Sequence, residues 1–574
     1  MSRRRLTFTA LPIVLAVTLA GCTTTAVSGA SQESTTTSVV STYEGELTAD
    51  AVLAANEDAT VVQDDEWSAA DAVDIALSRD TATTDADGVE VADATVTITT
   101  AGVYRLSGDY SGSVVVDAPE DALVVLILDG VDMDTTAGPA IQVVSADDVA
   151  ISLASGSVNS VADAESYAED AEANAAIHST ADLTITGSGT LTVDGRGSDG
   201  IFSQDDLVVL SGDITIDAAD DALQGKDSLL VEGGSLAITA GGDGLKSDKD
   251  DDETRGYVWV SGGTIEVDAA DDGIDAATDV VVTGGTIEIT AGGGAGASAG
   301  EESSSKGVAA GAVAVVDGGA LTIDAADDGL HSNGSIGIGA ATVTIAAGDD
   351  GVHADATLDV HDGEVTVTAS TEGLEGVDIV ISGGAVDITA DDDGINAAGS
   401  STSSGGGMGD SGETLLISGG TVLIDAGGDG LDSNGSLTIT GGDTVVYGPT
   451  NDGNGALDAN GEFIVSGGTL LAVGSSGMAV APGSSSTQSW ISATASIAAG
   501  STVQIVDSSG TVLAETTLPK SAASVVYSSA ALTDGATYRV VVDGTAAAEV
   551  VEGTASAGQG GMGGGAPGQG GGRR

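Results

Sequence analysis

An acidic residue, usually followed by glycine, recurs along most of this chain at a nearly fixed interval. It stands at Asp199, Asp221, Asp243, Asp272, Asp328, Asp350, Glu372, Asp393, Asp429 and Asp452, with gaps of 22, 22, 29, 56, 22, 22, 21, 36 and 23 residues. A second acid directly precedes several of these markers, at Asp220, Asp271, Asp327, Asp349 and Asp392. Others follow shortly after, at Asp275, Asp355, Glu375, Asp432 and Asp458. If the repeats stack, equivalent residues come to about 4.8 Å from one another, the spacing of neighbouring strands. Two like charges at that distance repel by about 0.9 kcal/mol in water and about 3.5 kcal/mol at an effective dielectric of 20. Such an edge must protonate, splay into water or take up cations. Calcium suits it best, because that ion accepts six to eight oxygens at about 2.3–2.6 Å.

Three further residue sets carry possible chemistry. The histidines are His178, His331, His353 and His361. His331 and His353 lie 22 apart, each three residues after a marker. Two imidazoles and a carboxylate are a known transition-metal set. No cysteine joins them, however, and other repeats put Asp, Asn, Glu or Lys at that position, so they read as polar turn residues. Lys226, Lys246 and Lys249, with Arg196 and Arg255, hold five of the chain's 15 basic residues within sixty positions. A metal ion that acidifies the proton beside a uronate carboxylate, with Lys226 or Lys246 as base, would make a polysaccharide lyase. The plainer reading is that these cations neutralise the acidic column locally. Phe202, Tyr257 and Trp259 lie in neighbouring repeats and are the candidates for stacking on sugar rings.

The elements that position these residues are short strands. "TIEVDA", "TIEIT", "LTIDA", "TVTIA", "VTVTA" and "VDITA" alternate polar and apolar residues, the period of a strand with one buried face. A glycine precedes them in step with the marker, as at Gly234, Gly263, Gly285 and Gly319. The long gaps hold insertions such as "SDKDDDETRG", "GGGAGASAGEESSS" and "GSSTSSGGGMGDSG", and Lys306 takes a marker's place 22 residues before Asp328. A period of about 22 with two or three strands predicts an all-β, parallel β-helix. Propeller blades need about 40–50 residues, twice that period.

This pattern sets the expected boundaries. Residues 1–22 read as a lipoprotein signal peptide, 23–66 as a flexible tether, and 67–135 as an N-terminal cap with the first coils. Residues 136–487 are then the β-helix with the acidic ladder, 488–548 a small antiparallel C-terminal module, and 549–574 a disordered Gly-rich tail. Arg3, Arg4 and Arg5 precede an apolar run too short for a membrane span. That run ends at Leu19-Ala20-Gly21-Cys22, similar to the bacterial lipoprotein cleavage box, which implies that Cys22 becomes lipidated. The expected location is therefore the outer face of the cell membrane, reached through the lipid anchor alone. Net charge is −73 over 574 residues, with 87 Gly, 1 Cys and 2 % aromatics. Such acidity excludes nucleic acid, whose phosphates require Lys and Arg.

"ITTAGVYRLSGDYSGSVVVDA", "LVVLILDGVDM", "GPAIQVVSADDVAISLASGSVNSVAD", the serial DDG[LI] repeats and "STVQIVDSSGTVLAE" resemble bacterial carbohydrate-binding domain-containing proteins, over about residues 67–548. The resemblance implies a right-handed, pectate-lyase-like parallel β-helix that binds calcium and polysaccharides such as cellulose and polygalacturonate. The leading expectation is therefore a non-catalytic, calcium-dependent polysaccharide binder. A calcium-dependent lyase and a purely structural envelope stalk are the alternatives.

Overall fold

The computed structural model describes residues 45–168, 171, 173–297, 304–399 and 409–554. The signal segment, Cys22, the first part of the tether and the Gly-rich end from 555 lie outside the described residues. What is described is all-β apart from one short helix, Ala49–Leu53, and one 3-10 turn, Ala69–Asp71. Most of its strands belong to one sheet of 45.

The repeat supplies three strands. In one repeat they are Leu223–Gly225, Ser228–Val231 and Ser235–Ala240; in the next, Leu245–Ser247, Tyr257–Val260 and Thr264–Ala269. Each strand pairs in parallel with its counterpart one repeat on: Leu223 with Leu245, Leu229 with Val258, Leu236 with Ile265. Insertions leave the register intact, since the seven extra residues around Asp250 bulge between two paired strands. Alternation decides which face turns inward. Thr264–Ala269 buries Ile265, Val267 and Ala269 and exposes Thr264, Glu266 and Asp268. Stacking then lines like on like. Ile238, Val267, Ile289, Ile323, Ile345, Val367, Ile388 and Ile424 form one continuous in-register column. None of them is more than 3 % exposed.

Glycine is required at two kinds of position. Gly285 opens the third strand with φ +92°, a conformation side chains rarely adopt. Gly329, after the marker Asp328, has space for nothing larger: a Cβ there would lie 2.4 Å from Ile345 Cγ2 and 2.6 Å from Gly351 O.

Antiparallel strands occur at both ends of the stack. Val89–Ala92 and Thr95–Ile98 form a hairpin at one end. At the other, Ala522–Ser528 pairs antiparallel with both Thr469–Gly474 and Trp490–Ile497. Thr502–Val506, Val512–Thr517, Thr537–Val542 and Thr545–Val551 make a separate four-stranded sheet. It packs a second core that includes Ile491, Val503, Ile505, Tyr527 and Val540.

One expectation needs correction. Residues 45–66 are not a flexible tether but a strap packed along the outer face of the second strands. Those strands are buried on both faces, as Ser228–Val231, Asp279–Val282 and Val313–Val316 show. Their outward apolar side chains need cover. Ala49 and Val52 cover Val281, Val313 and Val315; Leu53, Ala59 and Val61 cover Val208, Leu230 and Tyr257; Val62 covers Val125 and Ile127. Polar groups fix the register. Asn56 Nδ2 donates to Asp279 Oδ2 at 3.0 Å, Thr60 N to Asp206 Oδ2 at 2.8 Å, and Val62 N to Thr184 Oγ1 at 3.0 Å. The strap's apolar residues fall in two short clusters, Leu47–Ala55 and Ala59–Val62, each too short to sustain a strand or helix period, so the sequence pattern conceals them. Placing a charge at the fully buried Val52 should release the strap without unfolding the stack. Val52→Asp is expected to give rapid protease cleavage within residues 45–66 while far-ultraviolet circular dichroism stays unchanged; a resistant strap would contradict this assignment.

Candidate functional site: a stacked acidic edge

The marker carboxylates hold the backbone of the next repeat. Where the chain turns into each first strand, the N–H of a marker residue needs an acceptor, and the preceding marker supplies it. Asp243 N donates to Asp221 Oδ1 at 2.8 Å, Asp272 N to Asp243 Oδ1 at 2.9 Å, Lys306 N to Asp272 Oδ1 at 2.6 Å, Asp350 N to Asp328 Oδ1 at 3.1 Å and Asp429 N to Asp393 Oδ1 at 2.6 Å. Gly455 N closes the series on Asp429 Oδ1. Lys306 thus sits at a marker position, and Gly455 sits where the next acid was expected. Asp452 falls in an exposed turn outside the column, because the chain makes a wider loop before Leu457 bridges to Leu431. Asp199, Asp221, Asp243, Asp328 and Asp350 are 4–7 % exposed, and Asp272, Glu372, Asp393 and Asp429 are half-buried. Their preceding acids differ: Asp220, Asp271, Asp349 and Asp392 face solvent, and Asp327 is half-buried.

The residue three places after each marker builds a second column on the short first strand. In register it runs Gln142, His178, Phe202, Gln224, Lys246, Asp275, Ala309, His331, His353, Glu375, Asn396 and Asp432. This column answers the other marker oxygen. Lys246 Nζ lies 2.9 Å from Asp221 Oδ2 and 2.7 Å from Asp243 Oδ2. His331 Nδ1 lies 2.8 Å from Asp328 Oδ2, His353 Nδ1 3.0 Å from Asp350 Oδ2, and Asn396 Nδ2 donates to Glu372 Oε2 at 2.8 Å. Ala309 leaves a notch. It opens into a cleft of about 400 Å³ lined by Asp250, Asp272, Asp275, Lys306, His331 and Asn333.

Where the second column offers an acid instead of a cation, the charge is uncompensated. Burial pushes Asp272 up to about 8 and Asp275 to about 7, with neighbouring carboxylates adding to both. Burial likewise pushes Asp429 and Asp432 to about 7 and Asp393 to about 6. Asp199, pressed by Asp221, is raised to about 7, again chiefly by burial. Carboxylates from two consecutive repeats converge at Asp199, Asp220 and Asp221 and at Asp327, Asp328 and Asp349, with one oxygen of each within 4.8 Å of the others. Asp355 is exposed and faces His353 Nε2 at 3.5 Å rather than joining these groups.

The basic cluster neutralises acids. Arg196 pairs with Asp134 and Asp194, Lys249 with Asp227 and Asp251, and Arg255 with Asp227 and Glu57. Burial alone would lower Lys246, but its bonds to Asp243 and Asp221 hold the ammonium above its ordinary range. A lysine so held is a poor base. Lys226 is not its counterpart: Gln224 pairs with Lys246, and Lys226 lies in the turn beyond.

The aromatic candidates part company. Tyr257 is buried under the strap, with Oη donating to Glu57 O at 2.9 Å, so it is closed to a ligand. Trp259 is half-buried beside it and donates Nε1–H to Thr283 Oγ1 at 3.0 Å. Phe202 alone of the three stands in the outward column, stacked on His178 at 4.9 Å with planes 14° apart. Burial lowers His178 to about 4, so that ring is neutral at ordinary pH. Sequence reasoning missed a second set of acids, Asp182, Asp206 and Asp279, each the first residue of a second strand; Asp279 is buried and the other two are half-buried. Asp206 N donates to Asp182 Oδ1 at 3.1 Å, and burial raises Asp182 and Asp279 to about 6. Their spacing matches the repeat, but the acidic marker masks it.

A stack of acid-edged repeats of this kind falls within a known class. The family model for carbohydrate-binding domain-containing proteins matches residues 92–351 and 346–535, and the chain belongs to that family. A carbohydrate-binding domain-containing protein of Acetivibrio thermocellus is 39 % identical over 137 residues, which are 23 % of this chain and 48 % of that protein. The chain thus spans about half the length of that curated relative. A solved structure, the gadolinium derivative of a polysaccharide lyase-like protein from C. thermocellum, shares 35 % identity over 42 % of this chain and 95 % of that one, with a TM-score of 0.39.

Two outcomes follow from the capping role and the raised carboxyls. Asp328→Ala strips the Asp350 N–H of its acceptor and should cost about 1–3 kcal/mol, whereas Asp328→Asn keeps an oxygen there and should cost less. Chemical denaturation of both variants in EDTA decides this. The second concerns pH. A carboxyl raised on folding stabilises fully below its unfolded value of 3.8 and loses that contribution as pH rises through its folded value, here about 6 to 8. In EDTA the melting temperature should fall steadily from about pH 4 to about pH 8; a rising curve would contradict the burial of these groups.

Proposed function

We propose that this protein is a non-catalytic, calcium-dependent polysaccharide-binding protein, built as a right-handed parallel β-helix and held at the cell envelope by a lipid on Cys22. The observation that carries the reading is the pair of in-register columns, one of carboxylates and one of outward side chains, on a chain of this family. The parallel pairing of every third strand, with one core column running through it, supports the β-helix. The all-oxygen donor groups at Asp199, Asp220 and Asp221 and at Asp327, Asp328 and Asp349 suit calcium. Each group draws on two consecutive repeats, so an ion there would tie them together. The un-neutralised pairs Asp272 with Asp275 and Asp429 with Asp432 lie along the same edge and would be relieved by the same cation.

The second column suits a glycan. Half-buried Gln142 and Phe202 carry planar groups two repeats apart, and Phe202 offers a ring face for stacking. Calcium on the acidic edge can also bridge to a polymer's own carboxylates, which removes the repulsion between an acidic protein and a polyuronate. The ion-paired state of Lys246 weighs against the lyase alternative.

The test is binding to cellulose and polygalacturonate with millimolar calcium or with EDTA. Calcium is expected to raise the melting temperature, because a ligand of the native state alone stabilises it, and to strengthen glycan retention. Phe202→Ala should weaken binding about three- to tenfold, the worth of about 0.5–1.5 kcal/mol of aromatic contact. Release of unsaturated uronides by the wild type, lost in Lys246→Ala, would instead establish a lyase. Melting unchanged by calcium, together with no glycan retained, would leave only a structural stalk.

A further inference from the structure

His331 and His353 occupy the same column position in consecutive repeats and pair in register. Their ring centroids are 5.0 Å apart, with planes tilted by 49°. Each ring is anchored by the marker three residues earlier, His331 Nδ1 on Asp328 Oδ2 at 2.8 Å and His353 Nδ1 on Asp350 Oδ2 at 3.0 Å. Glu375, one repeat on, brings Oε2 to 3.4 Å from His353 Nδ1. Donor atoms of Asp328, His331 and His353 all lie within 4.8 Å of one another, as do those of Asp350, His353 and Glu375.

A small divalent ion fits such separations. Zinc bonds to nitrogen and oxygen are about 2.0–2.2 Å, so tetrahedral neighbours stand about 3.3–3.5 Å apart. Imidazole is a donor for zinc, cobalt, nickel or copper, whereas calcium takes oxygen. The rings are also held as metal-bound histidines are, by carboxylates that fix their orientation. Their side chains are 16 % and 25 % exposed, enough for an ion to enter from solvent. Nowhere else among the described residues do two imidazoles meet. His178 stacks on Phe202, and His361, just past the far end of the strand that carries His353, faces Asp317 and Asp359.

We propose that Asp328, His331 and His353 form a site for one zinc-class transition-metal ion beside the calcium edge, with Asp328 shared between this ion and the group of Asp327, Asp328 and Asp349, and with Asp350 and Glu375 orienting His353. The two donor triples share His353, which is why one ion is expected rather than two. The site does not depend on the glycan-binding reading. It would lock two repeats together next to the cleft at Ala309.

The test uses the full chain, cleared of transition metals and kept in millimolar calcium so that the acidic edge stays supplied. Cobalt(II) is titrated and followed by its visible d–d absorption, and zinc by calorimetry. One ion per chain should bind, with zinc displacing cobalt. His331→Asn and His353→Asn place in the column a residue it already carries at Asn396, so the fold is preserved. Each should weaken binding at least about tenfold, and His361→Asn should leave it unchanged. Metal binding that calcium abolishes, or that survives both substitutions, would overturn the site.

Discussion

One hydrogen bond governs this molecule: the marker carboxylate accepting the backbone N–H of the next marker. Parallel stacking leaves that N–H at a turn, where no strand partner is available, and a carboxylate is the strongest acceptor a side chain can offer. The bond costs something in return. It brings an anion to each repeat and buries it within one strand spacing of the next. Asp221 to Asp243, Asp243 to Asp272 and Asp272 to Lys306 show the chain of dependence directly. The glycine that follows the marker belongs to the same constraint, since at Gly329 a side chain would strike the next repeat.

The rest of the edge follows from disposing of that charge. Each marker spends one oxygen inward, on backbone, and turns the other toward the residue three places on. The identity of that residue sets the local chemistry. Lys246 neutralises two markers at once, His331 and His353 each hydrogen-bond one, and Asn396 donates without charge. Asp275 and Asp432 do the opposite and double the local anion. A single backbone device thus yields cation-paired, imidazole-bearing and open anionic segments along one line.

Much of this was legible in the sequence. The period, the strands and the degenerate marker at Lys306 could be read because register preserves spacing, and each repeat must place its glycine and its acid at the same point. The division of labour between acids could not. Asp220 and Asp221 are adjacent and chemically alike, yet one faces solvent and the other caps a backbone. Only the direction of the turn distinguishes them. Asp452 misled because a loop before Leu457 shifts the position that its DG motif suggests. Tyr257 misled because burial under the strap depends on residues some two hundred positions away.

The strap covers the second-strand face and leaves the acidic edge uncovered. The second strands turn apolar side chains outward, at Val208, Leu230, Val281 and Val315, and an uncovered stripe of that kind would favour association. Residues 49–62 cover it with their own apolar side chains and fix their register on Asp206 and Asp279. The third strands turn Thr, Glu and Asp outward, as Thr264, Glu266 and Asp268 do. The first strands carry the partner column, as Leu330–Ser332 carries His331 just after the marker Asp328. Because the segment that enters the stack from the N-terminal side occupies the second-strand face, a glycan or ion bound along the first-strand edge has no need to displace it.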